Sequence, residues 1–249
     1  MGVAETIFEE MKRRGIPSAG VRITTNVEEY IDLYRRYWGI DDAVLRIYRE
    51  SLLLAGEECL ELPSGERAIF VVENADWFTV QHIVAHLYVD RVLGIRLYSA
   101  VRYMSLCKED PRYLAIMMGN IARNLLDDVL ADLAFKKVVG EEYWEGAVKE
   151  MEKTYRLLER PENALTMGYE LQSWMLHVIE AVYYGQATSR EAEAIKNYLE
   201  NPNAETGIKL VDTLVKIGRD VFGIDVTTSL KMDSRPVKYI LVLSVAYMC

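Results

Sequence analysis

The sequence predicts a predominantly helical α+β protein with a small sheet, on three observations. Helix caps and glycine stops recur along most of its 249 residues. Only two runs, residues 67 to 72 and 237 to 247, are read as β-branched and apolar strands. No internal repeat, low-complexity run or long Gly/Ser linker divides the chain, so a single domain over 1–249 is expected.

The elements follow in order. The opening MGVAETIFEEMKRRG reads as a short charged helix without the apolar core of a secretion signal. Asn26-Val-Glu-Glu29 has capping-box form and opens a helix toward Trp38, with Gly39 as its stop. Asp41 begins another, through about Ala55. After the turn Pro63-Ser64-Gly65, residues 67 to 72 form a strand that leads through Glu73-Asn74-Ala75-Asp76 into a helix, which Thr79 caps and Gly94 ends. Asp110-Pro111 opens a long helix to about Val139, before Gly140. Further helices are expected at 141 to 159, 164 to 184, 189 to 200 and 204 to 222, followed by an apolar strand from Val237 to Tyr247. That last strand is expected to pair with the strand at 67 to 72.

Composition narrows the function. A net charge of -9 and a pI near 5.0 argue against a phosphate-binding surface, which needs clustered Lys and Arg. Nucleic acid is therefore not the expected partner; a protein or peptide is, ahead of a small molecule. Cys59, Cys107 and Cys249 lie far apart without C-x-x-C spacing, which suits a reducing, cytoplasmic setting and no disulfide framework. No stretch reaches the roughly 18 apolar residues of a membrane span. The phosphate-loop pattern G-x-x-x-x-G-K-[ST] is absent, and Tyr30, Tyr34, Tyr37 and Trp38 read as a helix-packing stripe without a basic groove beside it.

Chemistry concentrates at two of the three histidines. His82-Ile83-Val84-Ala85-His86 sets two imidazoles four residues apart in a helix, on one face, the geometry that clamps a zinc ion. At 100° per residue His82, His86, Val89, Asp90 and Leu93 share that face, whereas Ile83 and Leu87 lie well round from it. Asp90 then serves to orient an imidazole or to ligate directly; its alternative is a solvated charge beside Arg91. In the long helix Asp127 falls on the polar side with Asn120 and Arg123, while Asp128 falls among Met117, Ile121 and Leu125. A carboxylate on that apolar border is costly unless paired or metal-bound, so Asp128 is the stronger ligand candidate and Asp132, one turn on, its supporting neighbour.

A strand, then H-x-x-x-H on a helix, then Asp128-Val-Leu-Ala-Asp132 on a later helix resembles the gluzincin branch of the zincin metallopeptidases, whose pattern is H-E-x-x-H followed by E-x-x-A-D. The resemblance covers about residues 67 to 138 as a zincin-like core, with a helical part at about 141 to 222 and the terminal strand at about 237 to 247. It implies His82 and His86 as ligands of zinc, Asp128 in place of the ligand glutamate, and Asp132 at the following aspartate. A related pattern, N-x-x-E-D, aligns Asn124 and Asp127 instead, which leaves the register of the third ligand open between Asp127 and Asp128.

Ile83 departs from the pattern where it matters for catalysis, because the glutamate there is the general base toward metal-bound water. General-base catalysis contributes about 10²- to 10⁴-fold, so no standard peptidase activity is expected. Nothing in the spacing of Glu73 and Asp76 sets either against such a water, and Gln81 is no base. His177, near Glu170, Trp174 and Glu180 on another helix, is an alternative ligand or proton donor, or else a core histidine bonded to Glu180 or to backbone. Two readings follow: a metal-binding zincin-like protein, inactive or a hydrolase with another base, and a non-enzymatic helical interaction module in which the same residues form a polar network.

Overall fold

The computed structural model describes residues 2–38, 42–105, 112–231 and 236–247. It is a predominantly helical α+β protein whose chain forms two compact units, residues 1–88 and 89–249. No helix among the described residues is long and apolar enough to cross a membrane.

The first unit runs α1 (Val3–Arg13), β1 (Val21–Thr24), α2 (Val27–Trp38), α3 (Asp42–Ala55), β2 (Glu57–Glu61), β3 (Arg67–Val71) and α4 (Trp77–Tyr88). Its sheet has the order β1-β3-β2, with β3 parallel to β1 and antiparallel to β2. The central strand is the apolar run expected from sequence, and Ala68, Ile69, Phe70 and Val71 are all buried. Tyr30, Ile31 and Leu33 of α2, with Leu45 and Leu52 of α3, close over Phe70 to form a core. Asn26 caps α2 as its sequence implied, its Oδ1 accepting the Glu28 amide at 3.0 Å. The cap of α4 is Asp76 rather than Thr79. The Asp76 carboxylate accepts both the amide and the hydroxyl of Thr79, at 2.8 and 2.9 Å, because the helix already begins at Trp77 and leaves Thr79 inside the first turn. Against α4 packs α1, where Arg14 donates to the buried Gln81 Oε1 at 2.8 Å.

The second unit opens with a π-helical turn, Val89–Leu93, which follows α4 directly in the chain, and Gly94 ends it at φ +72°. Then come β4 (Ile95–Ser105), α5 (Arg112–Val138), α6 (Glu141–Leu158), α7 (Pro161–Met167), α8 (Tyr169–Tyr183), α9 (Ser189–Glu200), α10 (Ala204–Phe222), β5 (Val226–Lys231) and β6 (Val237–Tyr247). The helix expected over 164 to 184 is two helices, since Gly168 at φ +88° breaks the backbone between α7 and α8. The terminal strand does not pair with β3. β6 lies between β4, to which it is parallel from Ile95↔Val237 to Ser105↔Tyr247, and β5, to which it is antiparallel. The partner β4 alternates Ile95, Leu97 and Val101 with Arg96, Tyr98 and Arg102, a two-residue period that satisfies a strand as long as β6. The expected caps and stops at Gly39, Asp41 and Asp110-Pro111, and two of the cysteines, lie outside the described residues; Cys59, on β2, is in no disulfide.

Within this unit α5 is the packing axis. Ala122, Leu125, Leu126, Val129, Leu130, Leu133, Ala134 and Phe135 are buried on it, against β4, α6, α8 and α9. Tyr198 of α9 donates its hydroxyl to the Leu130 carbonyl at 3.1 Å, and Trp174 of α8 donates Nε1 to the Leu214 carbonyl of α10 at 2.9 Å. That second bond needs a glycine nearby. A Cβ on Gly218 would stand 2.9 Å from Trp174 Nε1 and 2.8 Å from Ile224 Cδ1. Gly218→Ala is therefore expected to lower stability by about 1–3 kcal/mol, through overpacking and loss of the indole bond. Urea denaturation checks this as a lower midpoint with unchanged slope.

Candidate metal centre

The histidine pair is built by α4 alone. Val80, Ile83, Val84 and Leu87 are buried, which leaves His82 and His86 on a half-buried strip of the same helix. Their Nε2 atoms stand 3.0 Å apart with the rings edge to face, at 89° and 4.6 Å between centroids. Phe78, one turn earlier, stacks on His82 with centroids 5.7 Å apart. Around a tetrahedral zinc with bonds of about 2.0–2.1 Å, two ligand nitrogens are separated by roughly 3.3 Å. The pair is within a few tenths of an ångström of that spacing.

An acid that sequence reasoning passed over meets this pair. Glu57, the first residue of β2, places Oε1 3.8 Å from His82 Nε2. No spacing rule reveals it, because the contact follows from the antiparallel pairing of β2 with β3 rather than from a helical period. Ile83, where the H-E-x-x-H pattern has its base, is 5 % exposed and belongs to the core.

The acidic residues of α5 separate by environment. Asp127 is ion-paired with Arg123 one turn back, the polar-side position its helical phase gave it. Asp128 is half-buried beside it. Asp132 is 1 % exposed and accepts hydroxyls from Tyr143 of α6 at 2.5 Å and Tyr183 of α8 at 2.8 Å. Burial first, then the Asp132 and Asp128 carboxylates, push the Tyr183 phenol well above its ordinary pKa, so it stays a neutral donor. Asp90 is not a solvated charge: it is buried and ion-paired with Arg96 and with Arg91, in the π-helical turn Val89–Leu93.

His177 bonds to an acid, though not to Glu180. Its Nε2 lies 2.7 Å from Oε1 of Glu191 on α9, a carboxylate with no exposed surface whose other oxygen caps that helix at the Thr188 amide, 2.8 Å away. Glu180 instead accepts the Tyr155 hydroxyl at 2.6 Å. His82 and His86 belong to the first unit and Asp128 to the second.

Comparison with known proteins leaves the reading to the residues. No family model, curated protein or solved structure matches the chain.

The Asp132 network gives a second prediction. Asp132→Ala strands two buried hydroxyls and is expected to cost about 2–4 kcal/mol. Adding Tyr143→Phe and Tyr183→Phe to it removes the stranded donors, so the triple variant should be no less stable than the single one. A denaturation series over wild type, Asp132→Ala, the Tyr143→Phe/Tyr183→Phe double variant and the triple variant reads the non-additivity directly.

Proposed function

We propose that this protein is a zinc-binding protein of zincin-like character, with His82, His86 and Asp128 as ligands and Asp132 fixing the helix that carries the third. The observation that carries the reading is the approach of the two imidazole Nε2 atoms to 3.0 Å on one helix face, a spacing an ion shared between them explains. The chain order supports it too: strand β3 precedes the histidine helix α4, and α5 bears Asp128-Val-Leu-Ala-Asp132. Zinc, when bound, supplies a Lewis acid at this centre.

The protein's own groups set what such a centre does. His82 and His86 present Nε2, and the Phe78 ring restrains the first imidazole. Asp128 supplies negative charge to balance the ion. Position 83 offers no proton acceptor and points into the core, so the standard peptidase step has no base there. The reading is thus a metal-holding protein that engages a protein or peptide partner without cleaving it; its net charge of -9 disfavours a phosphate backbone.

Metal content by mass spectrometry tests this, on untagged protein purified without added metal. Near-stoichiometric zinc is expected, lost in His82→Ala and in His86→Ala and held at least tenfold more weakly in Asp128→Ala. Absence of metal, together with a melting temperature that zinc does not change, overturns the reading and leaves the histidines as a hydrogen-bonded pair in an interaction module.

Position 83 is open to a separate check. Because Ile83 is buried, Ile83→Glu is expected to destabilise by roughly 3 kcal/mol or more rather than to create a hydrolase. A thermal melt and a quenched-peptide assay read the two halves; hydrolysis appearing in a stably folded variant would show that position 83 faces the centre.

A further inference from the structure

We propose that Glu57 belongs to the same centre as the carboxylate that holds a water on the ion, an inference that rests on the zinc-binding reading above. The contact is to the informative nitrogen. Glu57 Oε1 lies 3.8 Å from His82 Nε2, the atom that also faces His86 Nε2 at 3.0 Å. A carboxylate that merely orients a metal-bound imidazole sits on the ring nitrogen opposite the ligating one. Glu57 sits on the ligating side.

The distance selects its role. At 3.8 Å it is too long for a direct N–H···O hydrogen bond, which ends near 3.2 Å. It also exceeds the roughly 3.3 Å between two ligand atoms on one tetrahedral zinc. An oxygen one hydrogen bond beyond a ligand position fits it, since a water on the ion would stand between the carboxylate and the metal. Glu57 therefore completes the surroundings of the ion instead of competing for its first ring of ligands.

The backbone fixes this placement. Glu57 pairs with Val71 in the β2–β3 ladder, and the preceding Gly56, at φ +82°, accepts the Val72 amide at 2.9 Å. The carboxylate is thereby anchored on a strand and not on a mobile loop. Side-chain exposures of 23% for Glu57 and 14% for His82 leave the contact reachable by water yet largely shielded, where a charge–charge interaction is screened little. Two neutral imidazoles balance none of the ion's charge, and an anion held this close on the first unit's own sheet offsets part of it.

Competition titration of the full chain with a fluorescent zinc chelator tests the assignment, using wild type, Glu57→Gln, Glu57→Asp and His82→Ala. Glu57→Gln is expected to keep a single zinc with Kd raised about 10- to 100-fold, the usual effect of removing a partner of the coordination shell. Glu57→Asp, one methylene short, should fall between it and wild type, and both metal-free variants should melt within a few degrees of wild type. An affinity for Glu57→Gln within twofold of wild type, with zinc lost in His82→Ala, overturns the role of Glu57 and leaves the metal site standing. If Glu57→Gln does not fold, unchanged affinity in Glu57→Asp has the same force. Wild type that takes up no zinc, or His82→Ala that binds it equally well, overturns the metal-binding reading and this inference with it.

Discussion

A carboxylate buried in the C-terminal half of α5 ties the helices of the second unit together. Asp132 is 1 % exposed, and an ionised acid in such a place is tolerated only when its lone pairs are satisfied. Tyr143 and Tyr183 satisfy them, and each hydroxyl comes from a different helix, so the acid fixes α5, α6 and α8 against one another. The locking extends outward: Trp144 stacks on Tyr183 with rings 5.2 Å apart and nearly parallel, and the Lys136 ammonium lies 4.3 Å over Trp144. Gly140, at φ +111°, makes the turn that brings α6 back along α5 and so delivers Tyr143 to the acid. Asp128, one turn before Asp132, inherits this rigidity.

The histidine helix obeys a different constraint. α4 buries Ile83, Val84 and Leu87, and only a narrow strip remains for polar side chains. His82 and His86 occupy that strip because they are four residues apart; position 83, a hundred degrees away, is claimed by the core. The helix cannot supply both a histidine pair and a base at 83 in this packing. Acids for the pair come from elsewhere in the chain, and among the described residues of the first unit Glu57 is one that arrives.

Local rules made much of this legible. Asn26, Gly140 and Gly94 marked helix ends that the structure reproduces, and α9 and α10 have the expected bounds, because capping and helix termination are decided by a few adjacent residues. The strands fared otherwise. β2, with the sequence Glu-Glu-Cys-Leu-Glu, and β5, exposed at Thr227, Thr228 and Ser229, carry little apolar signal, and their existence depends on ladders with distant segments. The pairing of β6 with β4 is equally non-local. The same division runs through the site. The imidazole pair follows from helical spacing, and the polar side of α5 correctly held Asp127; the hydroxyls on Asp132, the Arg96 on Asp90 and the Glu191 on His177 come from tertiary packing that no period encodes.

The tight approach of His82 to His86 is itself an electrostatic statement. Two imidazolium N–H groups cannot face each other at 3.0 Å, and two bare lone pairs repel at that distance as well. The space between the nitrogens therefore holds one N–H donated by a neutral ring to the other's lone pair or, on the proposed reading, a metal ion, which requires both nitrogens to give up their protons. What distinguishes the occupants is ligand number: a proton is satisfied by the two nitrogens, whereas zinc takes four donors. On the proposed reading the pair supplies two of those donors, and the Glu57 carboxylate, 3.8 Å from His82 Nε2, is an acid that the first unit itself brings to them.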